Sequence, residues 1–179
     1  MDKPTLIDQL DLEQIETNLF RGISEDLGTP RVFGGQVIGQ ALIAALRTVE
    51  DRHCHSLHGY FLRPGDPTRP IIYEVDRIRD GRSFTTRRVV AIQAGQAIFN
   101  MSCSFQVLEA GLSHQSQMPD VPLPDDIPDD MDAMAARLEQ LPPAMREMMM
   151  RQRPIELKRV EVVDFLNPVK QAPKQHTWF

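Results

Sequence analysis

Apolar residues between Arg31 and Arg47 recur at helical spacing and cover nearly the whole circumference of the helix that they predict. The segment reads RVFGGQVIGQALIAALR, with an early glycine pair, two interrupting glutamines and no charge between the two arginines. A helix without a polar face is typical of a protein interior. The segment is too short for a membrane span, which needs about 20 apolar residues. We therefore expect a buried helix that other elements cover.

Alternation of apolar and polar residues predicts strands on both sides of this helix. Before it, the segment from Ile15 to Ile23 is expected to form one half-buried strand. After it, four more strands are expected in HCHSLHGYF, IIYEVDRIRD, SFTTRRVVAIQ and AIFNMSCSFQVLE. The residues expected to share a face in the last three are Ile71, Tyr73 and Val75; Phe84, Thr86, Val90 and Ile92; and Ala97, Phe99, Met101, Cys103 and Phe105.

Turn signals between these segments indicate how the strands pair. Asp80-Gly81 and Ala94-Gly95 each separate two strands by only a few residues, as in hairpins. Parallel strands need a long crossover between them, usually a helix, and these turns leave no room for one. The pattern predicts an α+β fold in which the helix lies across one face of an antiparallel sheet.

The composition changes near Met118. The segment PDVPLPDDIPDD is rich in proline and aspartate, which is typical of an exposed linker. The following segment favours a helix but is interrupted at Pro142-Pro143. Its methionines are expected to pack in a core or an interface; they include Met145, Met148, Met149 and Met150.

Strand patterns return near the end of the chain. IELKRVEVVDF predicts one strand, and QHTWF predicts the start of another. Because the chain stops within this pattern, we expect a second domain that has been cut short. The predicted organisation is an N-terminal domain at 1–112, a linker with short helices at 113–153 and the first strands of the second domain at 154–179.

Charge and cysteine content narrow the class of protein. The 179-residue chain has a net charge of −5 at pH 7, which disfavours a nucleic-acid partner because such a partner needs a basic patch. Cys54 and Cys103 do not suggest a disulfide framework, and the N-terminus lacks the features of a secretory signal. An intracellular, cytoplasmic setting is therefore expected. Both cysteines lie in strand-like segments, where burial is more usual than nucleophilic reactivity.

Several ordered motifs resemble those of the acyl-CoA thioesterase II family. They are LFRG at Leu19–Gly22, RVFGGQVIGQAL at Arg31–Leu42, HSLHGYFLRPGD at His55–Asp66, RDGRSFTTRRVVAIQAG at Arg79–Gly95 and MSCSFQ at Met101–Gln106. The resemblance runs from about Leu12 to the end of the chain. It depends on the order and spacing of the motifs together, since a lone GGQ would mean little.

Members of this family contain two hotdog repeats, each a sheet wrapped around a long helix, and hydrolyse fatty acyl-CoA to the free fatty acid and CoA. The resemblance implies this fold, this substrate and no metal or redox cofactor. It also implies that the family's catalytic aspartate, serine or threonine, and glutamine lie in the second repeat. No residue of this chain is then expected to be catalytic, and hydrolysis by the chain alone should be slow. Bacterial members are cytosolic, and some members are peroxisomal.

Gly34, Gly35 and Gln36 lie at the start of the predicted helix and are candidates for substrate binding. Free N–H groups at a helix start can hold a thioester carbonyl or its oxyanion, and glycine permits a close approach. A structural interpretation also stays open, because Gly35 and Gly39 would allow tight packing of the helix on a sheet.

Histidines in the next strand are further candidates for substrate binding. On a regular strand, His53 and His55 share one face and His58 points to the other. The resemblance places His55 and His58 in a family motif, and histidine is a residue type that commonly acts as a general base, which makes His55 a candidate for that role. Hydrogen bonding across the sheet is the structural alternative. A zinc site needs about four convergent ligands, so we expect no metal site here.

Arginines offer phosphate contacts. Arg63 is a candidate for binding a CoA phosphate, with a salt bridge to Asp66 as the structural alternative. A local basic run could likewise bind a phosphorylated ligand or form a solvated strand face; it consists of Arg77, Arg79, Arg82, Arg87 and Arg88.

Two other kinds of protein fit the same sequence. One is a non-catalytic hotdog module that binds acyl chains or mediates assembly. The other is a complete single-repeat enzyme that acts as a homodimer with His55 as the base. A repeat without its pair exposes a sheet edge and a helix face, so a homo-oligomer is expected.

Overall fold

The computed structural model describes residues 5–24, 29–128, 138, 141–150, 155–161 and 169–179. The chain divides into two units, Met1–Gly111 and Leu112–Phe179. The first unit contains a long helix and a large sheet, and the described residues of the second form short elements.

The first unit is built on an antiparallel sheet. Its elements are α1 (Leu6–Leu10), β1 (Glu13–Glu16), β2 (Leu19–Gly22), α2 (Gly34–Leu46), β3 (His53–Phe61), β4 (Ile71–Asp80), β5 (Phe84–Gln93) and β6 (Gln96–Gln106). The strand order is β1-β2-β4-β5-β6-β3, and all neighbours run antiparallel. The predicted α+β class is confirmed. Because β3 pairs with β6 and not with β4, β3 lies at one edge of the sheet.

Helix α2 packs one side onto this sheet. Its buried apolar residues are Val37, Ala41, Ala44 and Ala45. The buried sheet residues in the same core are Phe20, Ile71, Tyr73, Val75, Val89, Ala91, Ile98, Phe99, Met101, Cys103 and Phe105. Alanines keep the helix close to the sheet because they add little bulk. The predicted burial is confirmed on this side, whereas the other side is only partly buried through Ile38, Leu42, Ile43 and Leu46.

The prediction of one strand from Ile15 to Ile23 is wrong. The chain reverses at Thr17-Asn18 and forms the antiparallel pair β1 and β2. Glu16 Oε1 accepts hydrogen bonds from the backbone N–H and the hydroxyl of Thr17, at 2.8 and 2.9 Å. Phe20 and Gly22 are the buried residues of β2, so the buried face is offset by one residue from the predicted one.

The predicted faces of β4 and β6 are largely correct, but the face of β5 is wrong. The residues of β5 that point into the core are Thr85, Arg87, Val89, Ala91 and Gln93. Three of these five are polar, so a hydrophobic pattern favours the opposite face, which carries Val90 and Ile92.

Arg87 is 1% exposed and joins the sheet to the end of α2. Its Nε donates to Thr48 Oγ1 at 2.8 Å, and its Nη2 donates to the Thr48 carbonyl at 3.0 Å. Thr48 lies just after the helix, where a cation interacts favourably with the helix dipole. Nη2 also lies 2.5 Å from Asp80 Oδ1, and the hydrogen bond from Arg87 lowers the pKa of Asp80.

The two glutamines of α2 fasten neighbouring segments to the helix. Gln36 Nε2 donates to the Ile23 carbonyl at 2.9 Å. Gln40 is fully buried; its Nε2 donates to the Gln9 carbonyl at 2.6 Å, and its Oε1 accepts from the Tyr73 hydroxyl at 2.8 Å. Burial raises the pKa of Tyr73, so its hydroxyl remains a donor to Gln40.

The hairpin between β5 and β6 turns at Ala94-Gly95. Both residues have positive φ, 48° and 76°, as in the two-residue turns that match the twist of antiparallel strands. The turn predicted at this position is confirmed. Glycine adopts positive φ at no steric cost, whereas alanine is strained there.

The second unit begins with an exposed stretch. Residues 112–120 are all exposed and lie outside helices and strands. The segment PDVPLPDDIPDD, predicted to be an exposed linker, is mostly exposed in its described residues, but Ile127 is buried. A 3₁₀ helix follows at Pro124–Asp126, and helix α3 spans Pro143–Met150. The predicted break at Pro142-Pro143 corresponds to the start of α3. Residues 129–137 and 139–140, where more helix was expected, lie outside the described residues.

Strands β7 (Lys158–Arg159) and β8 (Thr177–Trp178) pair antiparallel in this unit. They lie in the two segments that predict strands, but each covers two residues. The rest of the first segment from residue 162 lies outside the described residues. Met145 and Met150 are exposed within this unit, so core packing is not seen for them, and packing in an interface stays a prediction. The side chains of Met148 and Met149 are not described.

Candidate functional site

A cleft of about 390 Å³ opens beside the first turn of α2. Three segments meet there: the start of α2, the residues that end and follow β3, and the start of β6. The residues that line it are Arg31, Val32, Gly34, Val37, Phe61, Leu62, Arg63, Pro64, Gly65, Ile98 and Phe99. Its volume is at the lower end of the range of about 300–1,000 Å³ typical of small-molecule sites.

The start of α2 presents backbone donors at the cleft. Phe33 precedes the helix and provides no side-chain cap, while its carbonyl accepts from the N–H groups of Gln36 and Val37 at 3.1 and 3.3 Å. The N–H groups of Gly34 and Gly35 have no hydrogen-bond acceptor among the residues that the structure describes. Such donors suit an oxygen that carries negative charge.

Arg63 lies at the rim of the cleft. Its Nη1 donates to the Ala97 carbonyl at 2.7 Å, which orients the guanidinium. The salt bridge to Asp66 considered from the sequence does not form, because Asp66 Oδ2 pairs with Arg69 Nε at 3.1 Å. Hydrogen bonds from Thr68, with a smaller contribution from Arg69, lower the pKa of Asp66. Arg31 is the second arginine among the lining residues.

Gln93 shapes the loop that follows β3. Its Oε1 accepts from the Asp66 N–H at 2.8 Å, and its Nε2 donates to the carbonyls of Asp66 and Arg69 at 2.9 and 3.0 Å. The Gly65 carbonyl in turn accepts from the Val32 N–H at 2.9 Å. These bonds hold two walls of the cleft together, so the cleft is built into the folded unit.

The three histidines of β3 lie on the sheet face opposite the cleft. A bulge between Cys54 and Ser56 inserts an extra residue, which shifts the register against β6. His58 is paired with Ser102 and His53 with Gln106, on the face of β6 that alternates with the buried one. The expectation that His58 points away from His53 and His55 is therefore wrong.

His55 forms a hydrogen bond across the sheet. Its Nε2 lies 2.9 Å from Ser104 Oγ, and its ring packs edge-on against Phe84 with centroids 5.7 Å apart. A serine–histidine pair suggests a nucleophile, but catalysis also needs a third group that orients the histidine. In the described part of the chain, no such third group forms a hydrogen bond with His55. This geometry fits the cross-strand structural role.

The cysteines are poorly placed for nucleophilic chemistry. Cys103 is buried in the core, and its burial raises the pKa of its thiol to about 12. Cys54 is partly buried and packs against the same core. A thiol that stays protonated is a weak nucleophile.

The basic run does not act as one patch. Arg87 is buried, Arg88 pairs with Asp76 at 3.1 Å, and Arg77 donates to Asn18 Oδ1 at 2.8 Å. The solvated-face interpretation fits the four exposed arginines of the run and fails for Arg87. Since Arg87 is enclosed, it cannot contribute to a phosphate site at the surface.

Within the described ranges, no three side chains of His, Cys, Asp or Glu converge in a way that could hold a metal ion. None of the helices described is long and apolar enough to cross a bilayer.

The structure brings together some of the residues expected to bind substrate. Gly34 and Arg63 line the cleft, and Gly35 lies in the same helical turn. The side chain of Gln36 is buried and donates a hydrogen bond to the Ile23 carbonyl. His55 and His58 lie on the opposite face of the sheet. The sequence analysis did not identify the apolar residues that line the cleft, which include Phe61. The motifs FGG at Phe33–Gly35 and YFLRPGD at Tyr60–Asp66 contribute to these walls, but they are far apart in the sequence, and their proximity becomes visible only once β3 is known to pair with β6.

Comparison with solved structures identifies the architecture. A protein from Alicyclobacillus acidocaldarius, whose structure is described as having a hot dog fold, is 21% identical, with a TM-score of 0.64 over 86% of this chain and 54% of that one. At this identity the likeness concerns the fold alone. The antiparallel sheet and its single long helix thus define a hotdog-fold domain, as expected.

Sequence comparison relates the chain to acyl-CoA thioesterases. The family described as "Acyl-CoA thioesterase N-terminal domain" matches residues 23–106. Acyl-CoA thioesterase 2 of Haemophilus influenzae is 43% identical over 97% of this chain. The acyl-CoA thioesterase II TesB2 structure from Mycobacterium marinum is 50% identical, with a TM-score of 0.59, and covers 67% of this chain and 44% of that one. The chain is thus similar to the acyl-CoA thioesterase II family along most of its length. It spans 61% of the length of the Haemophilus relative.

Proposed function

We propose that this chain acts in the hydrolysis of fatty acyl-CoA to free fatty acid and CoA. The observation that carries the proposal is the 43% identity to Acyl-CoA thioesterase 2 of Haemophilus influenzae over 97% of the chain. The cleft beside α2 supports it, because apolar walls meet polar donors at one end, which suits an acyl chain with a thioester head.

In this proposal the thioester carbonyl lies beside Gly34 and Gly35, whose N–H groups stabilise the charge that develops on its oxygen. Gln36 fixes the first turn of α2 through the Ile23 carbonyl. Arg63 faces the CoA portion, where a guanidinium matches phosphate geometry. His55 and His58 have no role in this cleft, since they lie across the sheet from it.

The test uses the purified 179-residue chain and a non-hydrolysable thioether analogue of palmitoyl-CoA, with titration calorimetry as the readout. We expect saturable binding that free CoA at the same concentration does not reproduce. Release of CoA from palmitoyl-CoA, followed with a thiol reagent, measures how much of the reaction this chain carries out alone. A folded chain that binds no acyl-CoA would overturn the proposal.

We also propose that β3 mediates self-association. This edge strand extends over nine residues, and among the described residues it pairs on one side, with β6. Leu57, Tyr60 and Phe61 are exposed along it, and such an edge can pair with another strand. This observation also favours the alternative function, an assembly module. Light scattering tests the proposal; a monomer at high concentration would contradict it.

For localisation, we propose the cytoplasm, or the peroxisome if the source is eukaryotic. Two free cysteines support a reducing compartment. Fractionation of the source cells followed by immunodetection tests this, and recovery with secreted proteins would contradict it.

A further inference from the structure

The loop between β3 and β4 forms one rim of the cleft. It spans residues 62–70 without a helix or strand, and Arg63, Pro64 and Gly65 line the cleft. Three of its nine residues are prolines, which have no backbone N–H to donate. The position of this rim therefore depends largely on hydrogen bonds to groups outside the loop.

Gln93 supplies three hydrogen bonds to loop 62–70 from the end of β5. Its Oε1 accepts from the Asp66 N–H at 2.8 Å, and its Nε2 donates to the carbonyls of Asp66 and Arg69 at 2.9 and 3.0 Å. Gln93 is 7% exposed and lies on the face of β5 that points into the core. Both N–H groups of the side-chain amide are used, so the position needs an acceptor and two donors at once.

Loop 62–70 also supports the start of α2. The Gly65 carbonyl accepts from the Val32 N–H at 2.9 Å, and Val32 precedes the first helical residue, Gly34, by two positions. The two segments also pack together, since a carbon added at the Cβ position of Gly65 would lie 3.2 Å from Val32 Cγ2. Hydrogen bonds thus connect Gln93 to the loop and the loop to the start of α2.

We propose that Gln93 is a positioning residue for acyl-CoA binding, which holds the loop that carries Arg63 against the start of α2. The inference rests on the proposed function, because it takes Arg63 as the contact for the CoA portion and the N–H groups of Gly34 and Gly35 as the contacts for the thioester. Gln93 acts through the loop and not by touching the ligand. A cleft whose rim keeps this arrangement for only a fraction of the time binds more weakly by that fraction.

The test compares Gln93→Met with the wild-type chain by calorimetric titration with the thioether analogue of palmitoyl-CoA. Methionine has a similar length but forms none of the three hydrogen bonds, so the affinity should fall about tenfold. The matched control is Arg87→Met, because Arg87 is equally enclosed on the same face of β5 but binds Thr48, beyond the other end of α2. The control should keep the wild-type affinity within about twofold.

Gln93→Glu gives a readout that a merely structural role would not move. Its ionised carboxylate accepts from the Asp66 N–H but offers no donor to the carbonyls of Asp66 and Arg69, whereas the protonated form offers one. The charged side chains of these two residues pair with each other, and Asp66 stays ionised because its pKa is lowered. The affinity of Gln93→Glu relative to wild type should therefore recover as the pH falls from about 8 to about 5, since burial raises the pKa of a carboxyl group.

Hydrogen exchange without ligand tests the contact itself. The Val32 amide, compared with the amides of β5, should exchange about tenfold faster in Gln93→Met than in wild type, and Arg87→Met should leave this ratio unchanged. Unchanged exchange at Val32 in Gln93→Met, or equal losses of affinity in Gln93→Met and Arg87→Met, would refute the role of Gln93 while acyl-CoA binding stands. If the folded wild-type chain binds no analogue, both proposals fail. Should Gln93→Met not fold, Gln93→Glu decides: a relative affinity that does not change with pH refutes the inference.

Discussion

Replacing Arg87 by methionine tests the buried contact between the sheet and the end of α2. The variant keeps an unbranched side chain of similar reach but removes the donors to both Thr48 oxygens and to the carbonyls of Arg79 and Thr86. A buried polar group left without a partner costs about 1–3 kcal/mol, and Thr48 is 5% exposed. Asp80 adds little, because its side chain is 58% exposed and water replaces its partner.

We therefore expect Arg87→Met to lower the free energy of unfolding by about 3 kcal/mol. The assay is urea denaturation followed by circular dichroism. With a slope of about 1–3 kcal/mol per molar urea, the midpoint should fall by about 1–3 M. The matched control is Arg88→Met, one residue along the same strand, because Arg88 is 57% exposed and forms a surface pair with Asp76. Its loss should stay below about 1 kcal/mol.

Equal losses in the two variants would refute this reasoning. They would mean that the guanidinium of Arg87 contributes no more than an exposed ion pair. In that case, the burial of a polar face on β5 would need another explanation.

Three further predictions concern the same unit. The pKa of Asp80 is lower in the folded state than its unfolded value of 3.8, so the ionised carboxylate stabilises the fold above pH 3.8 and this effect is lost as the pH falls further. Below pH 3.8, the urea midpoint should therefore drop more steeply for the wild type than for Arg87→Met. Ala94→Asn should raise the free energy of unfolding by about 0.5–1 kcal/mol, because asparagine tolerates positive φ better; a lower melting temperature would contradict this. Gly59→Ala should cost about 1–3 kcal/mol in urea denaturation, because the new Cβ would lie 2.6 Å from Phe99 Cζ and 2.8 Å from the Asn100 carbonyl oxygen; an unchanged midpoint would contradict this.

Much of the fold follows from hydrophobic periodicity. The apolar positions of α2 identify the helix, and Ile71, Tyr73 and Val75 identify the buried face of β4. Where buried residues are polar, the same rule fails. Thr85 and Arg87 point inward on β5, and hydropathy places such residues outside. Partners for Arg87 come from the end of α2 and from β4, so its burial is decided by tertiary structure.

The candidate site was less accessible from the sequence. Gly34 and Arg63 are 29 positions apart in the numbering, and they meet because β3 ends beside the start of α2. The bulge at Cys54 and Ser56 turns His58 to the outer face, and nothing in the local sequence indicates an inserted residue. Pairing between distant strands decides both outcomes, which is why neither the cleft walls nor the histidine orientation could be read from the motifs.

The central claim is that this chain holds an acyl thioester at the start of α2. Nuclear magnetic resonance of the ¹⁵N-labelled chain tests it directly, during titration with the thioether analogue of palmitoyl-CoA. We predict that the largest changes in amide chemical shift occur at Gly34 and Gly35, with smaller ones at Phe61 and Arg63. Changes centred on His55 and His58, with Gly34 and Gly35 unaffected, would contradict the account.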